Sequence, residues 1–255
     1  MNTMTLYVDR NSIIHRMDPL TKLLYVVVSI AITYIMAHHI FVMGVMLFSF
    51  LMLLTGKVFR KILPIFGISL VLIISIIIVQ GFFHPKNETV LYELWGVPLY
   101  KEGFSYALLL TMRVLNMLSA FGILILTTKP DELIERLVRK GISPKIGYVF
   151  LSVLQIIPQM QQSMQTITDA QRSRGMETEG NVFVRIKAFF PLIGPVVLNA
   201  IKDTRERAIA LEVRGFNSPN QQTFLNEPIH YRFQGLVKIA LVIVLLATIV
   251  WRFWL

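Results

Sequence analysis

Apolar residues run almost without interruption from Leu23 to Ala37 and again from Ile40 to Leu54, parted by His38 and His39. Each run is near the short limit for a membrane span of about 20 residues, so the pair reads as two short helices or one bent element. Asp18-Pro19 before the first run is a helix-start signal, with Asp as N-cap and Pro at N1, and it sets Lys22 where a headgroup phosphate would hold it. Ile62 to Gln80 is a third apolar run, broken by Pro64, Gly67, Ser69 and Ser75, and Phe104 to Leu126 is a fourth that carries Arg113 and Asn116. The last, Gly235 to Val250, has Lys238 near its start and Trp251, Phe253 and Trp254 as an aromatic anchor at its end.

The segments between these runs differ in charge. Lys57, Arg60 and Lys61 make a basic turn of the kind retained on the cytoplasmic side. Gly81 to Gly103 mixes Lys86 and Lys101 with Glu88, Glu93 and Glu102 and has Trp95 and Tyr100, which suits an external loop at the interface. From Thr127 to Gln234 the chain holds 14 of its 25 basic and 10 of its 15 acidic residues and reads as cytoplasmic. The expected organisation is therefore an N-terminal transmembrane region at 1–127 with about four spans, a cytoplasmic domain at 128–233, and a C-terminal transmembrane helix at 234–255. With the N-terminus inside, five spans put the C-terminus outside.

Within the cytoplasmic part, Asp131 to Lys140 is a short helix, acidic at its first turn and basic at its last, and Gly141 to Pro144 breaks it. A long helix from Ile146 to Arg174, kinked near Pro158, follows; Ile156, Met160, Met164 and Ile167 share one face, and its length is roughly 40 Å. A second begins around Pro195 and runs to Arg214, with Val197, Ile201, Thr204, Ala208 and Leu211 on one stripe and Lys202, Arg205, Glu206 and Arg207 left for solvent or headgroups. The two should pack together. Both end alike: Ala170-Gln171-Arg172-Ser173-Arg174-Gly175-Met176 and Ala210-Leu211-Glu212-Val213-Arg214-Gly215-Phe216 share Ala-x-x-x-Arg-Gly-apolar, 40 residues apart. Gly past a helix end takes the left-handed conformation without penalty, which leaves the preceding Arg on an exposed tip. One such ending is a good helix stop; two at the tips of packed helices point to a paired contact surface.

Composition narrows the function. With 55% hydrophobic and 16% charged residues and a mean hydropathy of +0.62, part of the chain has lipid as its solvent. The net charge of +10 therefore reads as membrane sidedness rather than nucleic-acid binding. Cysteine is absent, so thiol chemistry and Cys-based metal sites are excluded, and no metal site is expected. His38 and His39 point apart on a helix and read as interfacial turn residues; His15, His84 and His230 are scattered. A membrane-embedded enzyme would need a convergent polar set, which these do not form. A self-sufficient permease or secondary transporter, the alternative reading, would show an inverted repeat and paired mid-membrane ionisable residues. Arg113 stands alone, either a functional residue pairing with Asn116 or a partner helix, or one that snorkels or pairs within the bundle. No Gly-x-x-x-x-Gly-Lys-Ser/Thr loop exists, so any ATP hydrolysis is supplied by another protein.

These residues resemble the T subunits of energy-coupling-factor (ECF) transporters, the EcfT/CbiQ-like family, across nearly the whole chain. Met17-Asp18-Pro19-Leu20-Thr21-Lys22-Leu23-Leu24 is similar to the family's Asp-Pro-Arg-Thr-Lys-Leu-Leu start, with Leu20 where Arg is common, and Thr127-Thr128-Lys129-Pro130 follows the fourth span. The family's Ala-Arg-Gly endings stand here as Ser173-Arg174-Gly175 and Val213-Arg214-Gly215, both departing at the first position. The resemblance implies an all-α membrane protein of about five transmembrane helices with a cytoplasmic domain of two long crossed coupling helices, the N-terminus and coupling domain being cytoplasmic. It implies a non-catalytic subunit of an ABC importer in the cell membrane. Its partners are two ABC-type ATPase subunits, which carry ATP and Mg, and a small substrate-binding (S) membrane subunit for a vitamin or a transition-metal ion. This chain would bind no cofactor. The six residues of the endings would contact the ATPases, and Ala170, Ala208 and Ala210 would serve helix crossing and coupling.

Overall fold

The computed structural model describes residues 6–83, 85, 89–94, 97–176, 181–218 and 233–254. It is an all-α membrane protein whose helices are α1 (Ile13–Arg16), α2 (Pro19–Ile35), α3 (His39–Thr55), α4 (Phe59–Phe83), α5 (Lys101–Thr127), α6 (Pro130–Arg139), α7 (Pro144–Ser173), α8 (Val182–Val213) and α9 (Gln234–Trp254). The described residues fall into two compact units, a membrane unit through Arg136 that includes α9 and a tip unit from Leu137 through α8.

In the membrane unit, α4, α5 and α9 are long and apolar enough to cross a bilayer, and α2 and α3 are shorter apolar helices of 17 residues each. At about 1.5 Å per residue the short pair reach roughly 26 Å, the lower limit of a span. The chain between Leu23 and Leu54 is thus two helices, parted at Met36–His38. His39 Nε2 donates to the Ser105 carbonyl at 2.9 Å, which pins the start of α3 to α5.

α5 packs against α2, α3 and α4, and half of the residues it buries are small: Gly103, Ala107, Ser119, Ala120 and Gly122 let neighbouring backbones approach. A Cβ at Gly122 would lie 2.0 Å from Ile62 Cδ1 and 3.2 Å from its Cγ1, so a larger residue fits only if the Ile62 side chain of α4 shifts. Ile14, Tyr25, Val26, Leu53, Val58, Ile62, Ala120, Ile123 and Leu126 form the packed centre. Several buried polar groups of the bundle are paired across helices, as a bilayer favours. Ser49 Oγ donates to Asn116 Oδ1 at 2.6 Å, the Tyr25 and Ser49 hydroxyls lie 2.6 Å apart, and Asn116 Nδ2 donates to the Ser29 carbonyl at 3.4 Å.

The stretch expected as a plain external loop contains an antiparallel hairpin, β1 (Val90–Leu94) with β2 (Val97–Tyr100), while Lys86, Glu88 and Trp95 lie outside the described residues. In α9, Trp251, Phe253 and Trp254 are exposed, as an interfacial anchor requires.

The tip unit packs α7 against α8. α7 continues unbroken through Pro158, and α8 starts at Val182 rather than at the expected Pro195, running through both Pro191 and Pro195. The two prolines are four residues apart and exposed, so their rings and missing donors fall on one outer side of the helix. The packed stripe of α8 is also displaced by one residue from the expected one. Leu192 and Val196 are buried, whereas Val197 and Ile201 are exposed.

Candidate functional site: paired helix tips and a buried polar junction

Each of α7 and α8 closes with the same hydrogen-bond pattern. Gly175 N donates to Arg172 O at 2.9 Å and Met176 N to Gln171 O at 3.1 Å; Gly215 N donates to Glu212 O at 2.9 Å and Phe216 N to Leu211 O at 3.0 Å. The paired 5→2 and 6→1 bonds require a left-handed residue past the helix end, and Gly175 and Gly215 supply it at φ +86° and +73°. α6 ends the same way, with Gly141 at φ +114° and Ile142 N donating to Leu137 O, after Lys140 rather than Arg. The third copy was legible as Lys-Gly-apolar and was not singled out, so the stop alone does not mark a contact surface. What α7 and α8 share beyond it is an exposed arginine, Arg174 or Arg214, whose guanidinium makes no hydrogen bond or ion pair among the described residues. Ser173 and Val213 before them are also exposed, Val213 at 84%.

The tips lie at opposite ends of the pair. Phe216, just past α8, packs at a tilt against Tyr148 near the start of α7 with ring centroids 5.3 Å apart, and Arg207 donates to Gln159 Oε1 further along. The helices are therefore antiparallel, and Arg174 stands 26 residues beyond Tyr148, about 40 Å along α7. Their crossing is lined by Ile156, Gln159, Met160 and Ser163 from α7 and Val196, Ala200, Asp203, Thr204 and Arg207 from α8. Ala170, Ala208 and Ala210, expected at the crossing, are exposed, because the stripe that meets α7 runs through Val196, Ala200 and Arg207. Arg207, expected in solvent, bridges the helices for the same reason. Apolar residues also face outward on the first halves of both helices, among them Ile146, Phe150 and Ile157 on α7 and Phe183, Phe190 and Leu198 on α8.

The sequence reading missed a second constellation, in the membrane unit. Asp18 occupies the N-cap position of α2 but makes no side-chain cap bond; instead its Oδ2 takes Lys238 Nζ of α9 at 2.7 Å, and its Oδ1 faces Arg136 Nε of α6 at 3.6 Å. Asp18 is only 6% exposed, and Oδ1 has no hydrogen-bond partner, since 3.6 Å is too long for one. Lys22, expected at a headgroup, is 2% exposed and donates to Thr127 O at 2.8 Å and Thr128 Oγ1 at 3.3 Å. It neutralises the carbonyl end of α5, where a cation is favoured and acceptors are orphaned. Val8 N donates to the adjacent Leu126 O at 3.0 Å, and Lys129 lies over the Tyr7 ring. The Asp18–Lys22 and Thr127–Lys129 motifs, a hundred residues apart, thus form one junction. Arg113 does not pair with Asn116: its Nε donates to Thr33 O at 2.8 Å and its guanidinium lies 5.0 Å from the Tyr34 ring centre, both on α2. Among the described residues no group of three or more His, Cys, Asp or Glu could hold a metal ion.

The family described as cobalt transport protein, CbiQ, matches residues 10–224, which take in α1 through α8 and both tips and stop short of α9. The chain belongs to the CbiQ family. It is similar to the energy-coupling factor transporter transmembrane protein EcfT of Lactococcus lactis subsp. cremoris, 26% identical over 260 residues that cover 96% of each chain. The EcfT proteins of Streptococcus equi subsp. equi and Listeria innocua serovar 6a are each 29% identical; the matches cover 85% of this chain and 84% and 85% of theirs, respectively. For a CbiQ-family membrane protein, the lipid-facing surfaces of α4 and α9 and the polar pairs inside the bundle are the expected division of labour.

Proposed function

We propose that this chain is the transmembrane coupling subunit of an ECF-type ABC importer, passing ATP-driven motion of two cytosolic ATPase subunits to a separate substrate-binding membrane subunit. The observation that carries the reading is the pair of identically terminated tips, each with an exposed arginine, at opposite ends of an antiparallel pair. Two sites about 40 Å apart suit one contact on each of two ATPase copies, and a guanidinium offers a rigid five-donor fork to carboxylates and carbonyls of a partner groove. The outward apolar faces of α7 and α8 offer area for the substrate-binding subunit. The transported compound, a vitamin or a transition-metal ion, is bound by that subunit, and ATP with its Mg by the ATPases. In this reading the N-terminus, the Lys57–Lys61 turn and the tip unit are cytoplasmic, with Asn87 and Leu255 outside; because the chain has no cysteine, single cysteines labelled with an impermeant reagent check it.

Charge reversal tests the contact. Arg174→Glu and Arg214→Glu keep Gly175 and Gly215 as helix stops, so each variant inserts and folds normally. Each loses ATPase association or coupled transport, because breaking an interfacial charge pair costs about 2–5 kcal/mol. Arg205→Glu, at an exposed position that is neither a tip nor part of the crossing, is the control. Wild-type assembly and transport by both tip variants would show that the tips are only helix stops.

A further inference from the structure

We propose that the corner where α1 meets the α3–α4 turn is a binding site for the headgroup of an anionic phospholipid. The turn Gly56–Lys61 holds Lys57, Arg60 and Lys61, all exposed and without an ion pair or side-chain hydrogen bond among the described residues. α1 packs on the same turn. Ile14 belongs to the same buried cluster as Val58, and a Cβ at Gly56 would lie 3.6 Å from Ile14 Cδ1. With Ile14 turned inward, the exposed Arg10 and Arg16 flank it on the chain. Arg10 and Arg16 thus lie within four residues of the buried α1 residue that packs on the basic turn, with Asp9 as the exposed acid on the same stretch, hydrogen-bonded by the Tyr7 hydroxyl at 3.4 Å.

Two features favour a lipid over a soluble anion. First, the cations border exposed apolar side chains: Leu51, Leu54 and Leu63 are more than half exposed on the two helices that the turn joins, and Ile13 is 74% exposed beside Arg16. That alternation places the charges at headgroup level with acyl-chain contacts directly above them. Second, the turn keeps a lysine where its backbone favours glycine. Lys57 lies at φ 56°, with Lys57 N bonded to Leu54 O at 3.0 Å and Val58 N to Leu53 O at 3.2 Å, the position that Gly175 and Gly215 fill at the tips. A lysine held in a left-handed conformation is strained, so the charge is kept against the local backbone preference.

The site is independent of the ATPase coupling and is tested on the full chain purified in neutral detergent. Phosphatidylglycerol, phosphatidylcholine and inorganic phosphate are added separately; lipid retained is counted by native mass spectrometry and the thermal midpoint is followed. Phosphatidylglycerol should be retained and raise the midpoint, and this should weaken with added salt, while the other two should do neither. The triple variant K57G/R60Q/K61Q should hold phosphatidylglycerol on the order of a hundredfold more weakly, since each such cation contributes about a factor of five near an anionic surface. Lys57→Gly alone, which relieves the strained backbone, should match or exceed the wild-type midpoint without lipid and still lose part of the response to phosphatidylglycerol. Equal responses to the two lipids, full reproduction by inorganic phosphate, or a triple variant that retains phosphatidylglycerol like the wild type each overturn the proposal. So does a triple variant that keeps its lipid response but loses ATPase association, which would make the corner a protein contact.

Discussion

Asp18 and Arg214 each stand at the end of a helix and each carries a charge, yet their surroundings differ in kind. Asp18 is 6% exposed and held by Lys238 at 2.7 Å with Arg136 beyond it, whereas Arg214 is exposed and makes no ion pair among the described residues. The same contrast runs through the two units. In the membrane unit Lys22, Arg113 and Asn116 are each tied to a neighbouring helix, because an unpaired charge or amide in that setting is costly. In the tip unit Arg174 and Arg214 are left unpaired at no such cost. Asp18, Lys22 and Arg113 in the first unit hold helices together, and Arg174 and Arg214 in the second remain free to meet a partner.

The largest test of this division is Asp18→Asn. It leaves Lys22, Arg136 and Lys238 around a site without a carboxylate, and removing one member of a buried pair costs about 3–5 kcal/mol. The thermal midpoint in detergent should fall sharply, and adding Lys238→Met should restore part of the loss because the stranded ammonium is then gone. Arg214→Gln should shift the midpoint little, since exposed substitutions stay within about 0.5 kcal/mol. A comparable fall in both would erase the contrast. Gly122→Val comes next: it forces a branched side chain onto Ile62 and should cost about 1–3 kcal/mol of membrane-unit stability, with the tip unit's hydrogen exchange unchanged.

Gly175→Ala and Gly215→Ala should each cost about 1 kcal/mol, confined to the tips, because only the left-handed residue is strained. Faster exchange of the Met176 or Phe216 amide, whose bond closes the motif, is the readout. The smallest effect is a pH dependence at His15, whose pKa burial lowers from 6.5, opposed by the hydrogen bond to the Val8 carbonyl. Its neutral form is the folded one, so its contribution is complete above pH 6.5 and is lost as pH falls through the lowered folded value. Thermal midpoints at pH 7.5 and 5.0 should differ more for the wild type than for His15→Asn.

The sequence made the apolar helices and both tips legible, because span length and a glycine stop are local properties. Partners were not legible. Lys22 near a helix start reads the same whether it meets a phosphate or the Thr127 carbonyl 105 residues away, and Asp18 reads as a cap although its side chain turns to Lys238. Pro195 matched a helix-start signal that an interior proline also satisfies; only the continuation back to Val182 distinguishes the two. The stripe of α8 was placed one residue off because periodicity fixes the spacing of a face, while α7 decides which of two adjacent faces is covered.

Cross-linking from the two tips tests the central claim most directly. Cysteines replacing Ser173 and Val213, in a chain that otherwise has none, are fitted with a photoactivatable cross-linker in the assembled complex, and the products are sized. If the tips engage separate ATPase copies, the double variant should yield a product of one coupling chain joined to two ATPase chains, and each single variant a product with one. A double variant that captures only one ATPase chain, or captures neither while the complex remains assembled, would contradict the assignment of the tips as the two points of ATPase contact.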